Sequence, residues 1–251
     1  MKEKIRVSAV SYLNSIPFVY GLQHTSIIDQ IALSLDYPAE CARKVADDEV
    51  DIGLIPVAII PSLPYYSIIS DYCIGAEGAV RTVMLFSNSP IETLDRIYLD
   101  YQSRTSVVLV RVLSKNLWNI NPEWLPYTPL HTLNDIDPYD GVVIIGDRAF
   151  EAESNFKYHY DLAEEWIRLT GLPFVFAAWT ANKQIDKSFI DSFNRSLKVG
   201  IENIDASIDT CSSLKISKLE AQQYFQKNIS FNLTSNKREA LKLFWSLSKN
   251  L

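Results

Sequence analysis

Ile5-Arg6-Val7-Ser8-Ala9-Val10-Ser11-Tyr12-Leu13-Asn14-Ser15-Ile16-Pro17 is the stretch that decides the fold. Its first six residues predict a strand. The next seven place uncharged hydrogen-bonding groups where an α/β sheet opens its ligand crevice, beyond the carboxyl end of a strand. A polar turn before a helix is the plain alternative. Two later segments, around Ser103 and Gly146, repeat the pattern of strand followed by short polar residues. That repetition favours a ligand crevice.

Outward from this stretch, strands and helices alternate. Ile31–Leu35, Asp51–Ile55, Ser67–Ser70, Arg81–Phe86, Ile97–Leu99, Gly141–Ile145 and Phe174–Trp179 read as strands. Gly141–Ile145 carries a continuous apolar run, as in a strand covered on both faces. Pro38 opens a helix through about Asp47, because proline suits the first helical position. Glu40 and Lys44 are spaced there to pair at i,i+4. Val107–Val110 has the β-branching of a strand. A strand ends only a few residues earlier with no hairpin turn between, so a helix from Ser103 is expected. Asp161 and Glu164 form a capping-box-like pair. Leu162, Trp166 and Leu169 give that helix its apolar stripe, and Gly171 and Pro173 stop it. Glu164 and Glu165 are expected on its solvated face. Beyond Asn182 the chain reads as helical throughout, and Ser217 with Glu220 repeats the capping signal.

The alternation implies an α/β protein with mostly parallel sheets flanked by helices. Composition shifts near Ser87–Pro90 and near Trp179–Asn182 mark the two crossings of a two-lobed chain. Residues 1–88 plus 181–251 would form lobe 1 and residues 89–180 lobe 2, with the ligand cleft between them.

The 251 residues are 47% hydrophobic and 22% charged, ordinary for a globular protein. The net charge is −6 and no basic tract tracks phosphates, so nucleic acid is not an expected partner. No segment approaches the ~20 apolar residues of a membrane span. The charged Met1-Lys2-Glu3-Lys4, followed by a short apolar run, does not read as an export signal. Cys41, Cys73 and Cys211 are scattered and odd in number, which fits reduced thiols and a cytoplasmic protein. His24, His131 and His159 lie far apart without metal-ligand spacing, so no metal is expected.

Ser103-Arg104-Thr105-Ser106 is the sharpest local feature. It follows a strand and opens a helix, whose first-turn N–H groups and dipole favour negative charge. Three hydroxyls and a guanidinium there suit a carboxylate or phosphate. Simple N-capping by Ser103, with Arg104 in solvent, is the alternative. Thr82 offers a hydroxyl near the proposed crossing, with Arg81 free to pair with an acidic side chain. Gly146, at the end of a central strand, could expose backbone N–H groups to a ligand. Asp147 reads as a helix N-cap or a general base. No serine has a nucleophile-elbow context and no glycine-rich phosphate loop is present. The residues by themselves indicate a two-lobed protein that grips a small anionic molecule.

Several short motifs, taken in order and spacing, point further. These are Ser11–Ser15 (Ser-Tyr-Leu-Asn-Ser), Asp51–Pro56 (Asp-Ile-Gly-Leu-Ile-Pro), Val80–Val83, Ser103–Ser106, Ile145–Asp147 and the stretch Tyr160–Trp179. Together they resemble the chorismate dehydratase family of the futalosine route to menaquinone, over almost the whole chain. The resemblance implies a periplasmic-binding-protein-like fold of type II topology. It also implies a lyase that dehydrates chorismate to 3-[(1-carboxyvinyl)oxy]benzoate without a cofactor. The family's catalytic residues fall on Asn14 and Thr82, and some relatives carry serine where Thr82 stands. Substrate contacts are expected from Ser11, Tyr12, Ser103, Arg104, Thr105, Ser106, Gly146 and Asp147. Two alternatives stay open: a non-catalytic binding protein for a small anionic metabolite, and the related 1,4-dihydroxy-6-naphthoate synthase. The oligomeric state is not legible.

Overall fold

The computed structural model describes residues 4–211 and 214–251. In chain order its elements are β1 (Ile5–Val10), α1 (Ile16–Gln23), β2 (Ile31–Asp36), α2 (Pro38–Ala46), β3 (Ile52–Pro56), β4 (Ser67–Ala76), β5 (Val83–Ser87) and β6 (Arg96–Asp100). They continue with α3 (Thr105–Leu113), β7 (Glu123–Tyr127), β8 (Asp140–Ile145), α4 (Arg148–Ala152), β9 (Tyr158–Asp161), α5 (Leu162–Thr170) and β10 (Phe174–Ala181). The C-terminal part holds α6 (Lys187–Glu202), α7 (Ile204–Asp209), α8 (Lys218–Lys227), β11 (Ser230–Asn232) and α9 (Ser235–Ser248).

Two sheets result. The first runs β11-β4-β10-β3-β1-β2 and the second β7-β6-β8-β5-β9. Both are mixed rather than mostly parallel. β1 pairs in parallel with β2 and β3, and β6 with β7 and β8. β10 is antiparallel to β3 and β4, and β5 to β8 and β9. A parallel neighbour demands a crossover connection. β5 and β10 enter from the other sheet and escape that demand. Their membership also places the chain's exchanges between the sheets before Val83 and before Phe174, earlier than the composition shifts at Ser87–Pro90 and Trp179–Asn182. Those shifts follow turn residues at strand ends, not the sheet exchange itself.

The central strands are apolar because both faces are covered. β3, β8 and β10 are buried along their whole lengths. One hydrophobic core runs through both sheets, and a smaller cluster around Phe86, Val142, Ile144 and Phe156 lies under the second. α1 and α6 cross with backbones nearly touching. A Cβ at Gly200 would lie 1.7 Å from the Pro17 carbonyl oxygen, so only glycine fits the crossing.

Four local expectations need correction. Lys44 pairs with Asp36 at 2.7 Å, and Glu40 with Arg43 at 2.7 Å, because Asp36 at the end of β2 lies closer to the Lys44 ammonium. Glu165 is buried rather than solvated, its carboxylate accepting the Trp118 indole N–H at 2.7 Å. β4 extends to Ala76, well past Ser70, since it has β10 on one side and β11 on the other. β11 interrupts the helical C-terminal region. It is held by the fully buried Lys237, whose ammonium donates to the Ser230 and Asn232 carbonyls at 2.7 and 2.8 Å.

Candidate active site

The loop after β1 is fixed by its own small residues. The Ser15 hydroxyl donates to the carbonyls of Val10 and Tyr12. Ser11 N–H donates to the Asp36 carbonyl at 2.9 Å. This short turn places Tyr12 and Asn14 just beyond the carboxyl end of β1. The Asn14 carboxamide oxygen is buried and has no hydrogen-bond partner among the described residues.

Asn14, Thr82, Ser103, Thr105, Ser106 and Gly146 line one slot of about 50 Å³, walled by apolar groups including Val80, Phe176 and Pro56. Tyr12 closes one side of it. The hydroxyls from the second sheet's side have distinct duties. Ser103 Oγ accepts the Ser106 N–H at 3.0 Å, so Ser103 caps α3 in addition to lining the slot. Thr105 Oγ1 donates to the Phe176 carbonyl at 3.0 Å and accepts the Ala58 N–H at 3.3 Å, stitching α3 to the first sheet. Ser106 is buried as a residue, and its hydroxyl engages none of the described residues, which leaves it to the slot. No lining side chain is charged. The slot therefore offers neutral donors and the start of α3, whose dipole favours an anion.

Other expected residues lie elsewhere. Arg104 is exposed and folds back on the carbonyls of Tyr101 and Ser103, at 3.3 and 3.1 Å, because nothing anionic draws it inward. Ser11 and Asp147 line a neighbouring cavity of about 310 Å³, shared with Leu214 and Lys215 on the far side of the Tyr12–Asn14 loop. Asp147 stands at the start of α4 without capping it. Its carboxylate accepts the Leu13 N–H at 3.1 Å, so it ties the two halves together. Burial pushes its pKa above the usual carboxylate value, and the Leu13 N–H only partly offsets this. Gly146 lines the slot, but its N–H donates to the Thr82 carbonyl at 2.9 Å instead of facing a ligand. Its role is steric. It has φ +67°, and a Cβ there would lie 2.8 Å from the Tyr12 ring. Volume alone would favour the larger cavity. The slot is the better candidate because that is where the unengaged polar groups of both halves meet.

Three participants left no local signal. The Tyr12 hydroxyl donates to Gln102 Oε1, which also accepts from Arg148 at 3.0 Å. Arg148 pairs with the buried Asp100 at 2.6 Å. Burial raises the Tyr12 pKa, with Arg148 opposing. Tyr224, from α8, is fully buried with its hydroxyl 2.9 Å from Thr82 Oγ1. Only the adjacency of Gln102 to the Ser103 turn could have been noticed in sequence. Among the described residues, no group of three or more His, Cys, Asp or Glu side chains is placed to hold a metal ion. Nor is any helix long and apolar enough to cross a membrane.

The family model described as menaquinone biosynthesis matches residues 5–250. The chain belongs to this family. It is also similar to the chorismate dehydratase of Thermus thermophilus, 25% identical over 228 residues that cover 82% of this chain and 83% of that protein. Among solved structures, an Archaeoglobus fulgidus protein matches with a TM-score of 0.79 at 18% identity, covering 98% of this chain and 97% of that one. A Candida albicans protein described as having the generic periplasmic binding protein fold matches at 0.66 and 14% identity, covering 99% and 91%. The alkanesulfonate-binding protein of Xanthomonas axonopodis pv. citri, bound to MOPS, matches at 0.64 and 13% identity, covering 97% and 93%. These structural likenesses establish a two-lobed, periplasmic-binding-protein-like fold for this member of the family.

Proposed function

We propose that this chain is a lyase that dehydrates chorismate to 3-[(1-carboxyvinyl)oxy]benzoate. The observation that carries the reading is the convergence of Asn14, Thr82 and Ser106, none of them charged, on one slot beside the start of α3. Family membership and the likeness to a chorismate dehydratase support the choice of substrate.

The chemistry suits such a site. Loss of the C3 proton and the C4 hydroxyl makes the ring aromatic and releases one water. Electron density from the broken C3–H bond passes through the ring double bond toward the ring carboxylate. Fixed donors around that carboxylate stabilise the developing charge without reorganising. We assign this to Ser106 and the first turn of α3, which Ser103 caps. Asn14 and Thr82 orient the ring and the departing hydroxyl. The substrate's own enolpyruvyl carboxylate, held near C3, takes the proton and returns it to the departing C4 hydroxyl, which leaves as water. Arg104 has no part in the reading, because its guanidinium faces outward.

The slot holds about 50 Å³, less than the ~150 Å³ cavity that admits a benzene ring. Chorismate is therefore held only with the two halves further apart than described, so that the slot widens around the ring. Treated as lobes, the halves are joined at Tyr12–Gln102, Leu13–Asp147 and Thr105–Phe176, which are among the contacts that opening must break. The test is incubation of the protein with chorismate while the aromatic product is followed by absorbance and mass. Multiple turnovers support the reading. Chorismate binding without product would make this a binding protein instead.

A further inference from the structure

A polar group at the centre of the slot has a partner that does not line it. Tyr224 Oη is fully buried and lies 2.9 Å from Thr82 Oγ1. A phenol has one proton to give and one good lone pair to offer. Thr82 Oγ1 has a second neighbour, the Val80 carbonyl at 3.4 Å, which can only accept. Thr82 thus points its own proton at Val80, over a long bond, and receives the proton of Tyr224 over the short one.

We propose that Tyr224 is a positioning residue that sets the hydrogen-bond polarity at Thr82, presenting the Thr82 hydroxyl to the slot as a donor. A substrate oxygen at Thr82 replaces the poor 3.4 Å bond to Val80 while the Tyr224 bond stays. The inference rests on the chorismate reading and extends it to α8, a helix that touches no substrate. It also accounts for a tyrosine whose hydroxyl would otherwise be buried at a cost. Burial drives its pKa far upward, so it acts as a neutral donor throughout the working pH range.

Tyr224→Phe removes one oxygen and keeps the ring's T-shaped packing on Phe150 and on Phe225. The expected result is a fall in kcat of about tenfold or more, with KM within about twofold, because misaimed groups cost the reaction more than binding. The decisive readout is the cycle with Thr82→Val. Once Thr82 has lost its hydroxyl, removing the Tyr224 oxygen should change kcat by less than about twofold. A kcat for Y224F equal to that of the parent overturns the inference, as do two losses that simply multiply. Should Y224F not fold, 3-fluorotyrosine placed at 224 keeps the hydroxyl and alters its donor strength. An unchanged kcat then overturns the inference. A parent protein that never forms product overturns the chorismate reading together with it, whereas an active parent with an indifferent Y224F sinks the role of Tyr224 alone.

Discussion

Among the described residues, Asp147 is a carboxylate near the slot that could compete for the role of base, and its surroundings argue otherwise. It faces the larger cavity and holds the Leu13 N–H. Its folded pKa lies above the ordinary 3.8 because burial disfavours its charge. A raised carboxyl pKa means that the folded state binds the proton more tightly than the unfolded one. Stability from this group is therefore lost as pH rises through the folded pKa, and the ionised group costs stability at pH 7. Asp147→Asn keeps an acceptor for Leu13 and removes the charge. Thermal melts should show the variant at least as stable as the parent at pH 7, with the difference closing below about pH 4, where both forms are neutral. Its turnover of chorismate should stay within about threefold of the parent, since no reacting atom is expected within its reach. A collapse in rate with chorismate binding intact would make Asp147 the base. Asn14, Thr82, Ser103 and Ser106 were legible in sequence because short polar residues at strand ends have few places to point. Arg104 was not, since its long side chain can turn to either side of its backbone. Tyr224 was not, because its partner lies 142 residues away in the chain.

The start of α3 separates a structural hydroxyl from a functional one within three residues. Ser103 caps the helix by accepting the Ser106 N–H, while the Ser106 hydroxyl faces the slot. Ser103→Ala should cost about 1 kcal/mol of stability, the usual price of a lost cap, and a denaturant titration reads it directly. Ser106→Ala should leave that midpoint nearly unchanged and lower kcat for chorismate by about 10²-fold, the scale of a lost oxyanion donor. The opposite pattern would exchange the two roles. Elements with strong periodicity or a cap were readable from the chain alone. Asp161 accepts the N–H groups of Ala163 and Glu164 as its position indicated, and Ser217 with Glu220 forms a full capping box. β11 was not readable. Three residues carry no period, and the buried Lys237 that holds them belongs to the following helix.

For the whole molecule, the alternation of strands and helices was enough to give an α/β fold of sheets flanked by helices, because each sheet needs helices to cover its faces. Strand direction was not accessible in the same way. β5 and β10 look like any buried strand in sequence, and only their partners make them antiparallel. The same limit applies to the cavities. Sequence placed Asn14, Ser11 and Asp147 in one site, whereas the Tyr12 ring, admitted by Gly146, divides that region into a small slot and a larger cavity. The functional reading depends on the slot being where the ring binds. A crystal structure of the protein with the aromatic product tests this most directly. The account predicts the product's ring between Asn14 and Thr82, with its carboxylate at the Ser103–Ser106 turn. Product lodged instead beside Asp147 and Lys215, with the slot empty, would contradict it.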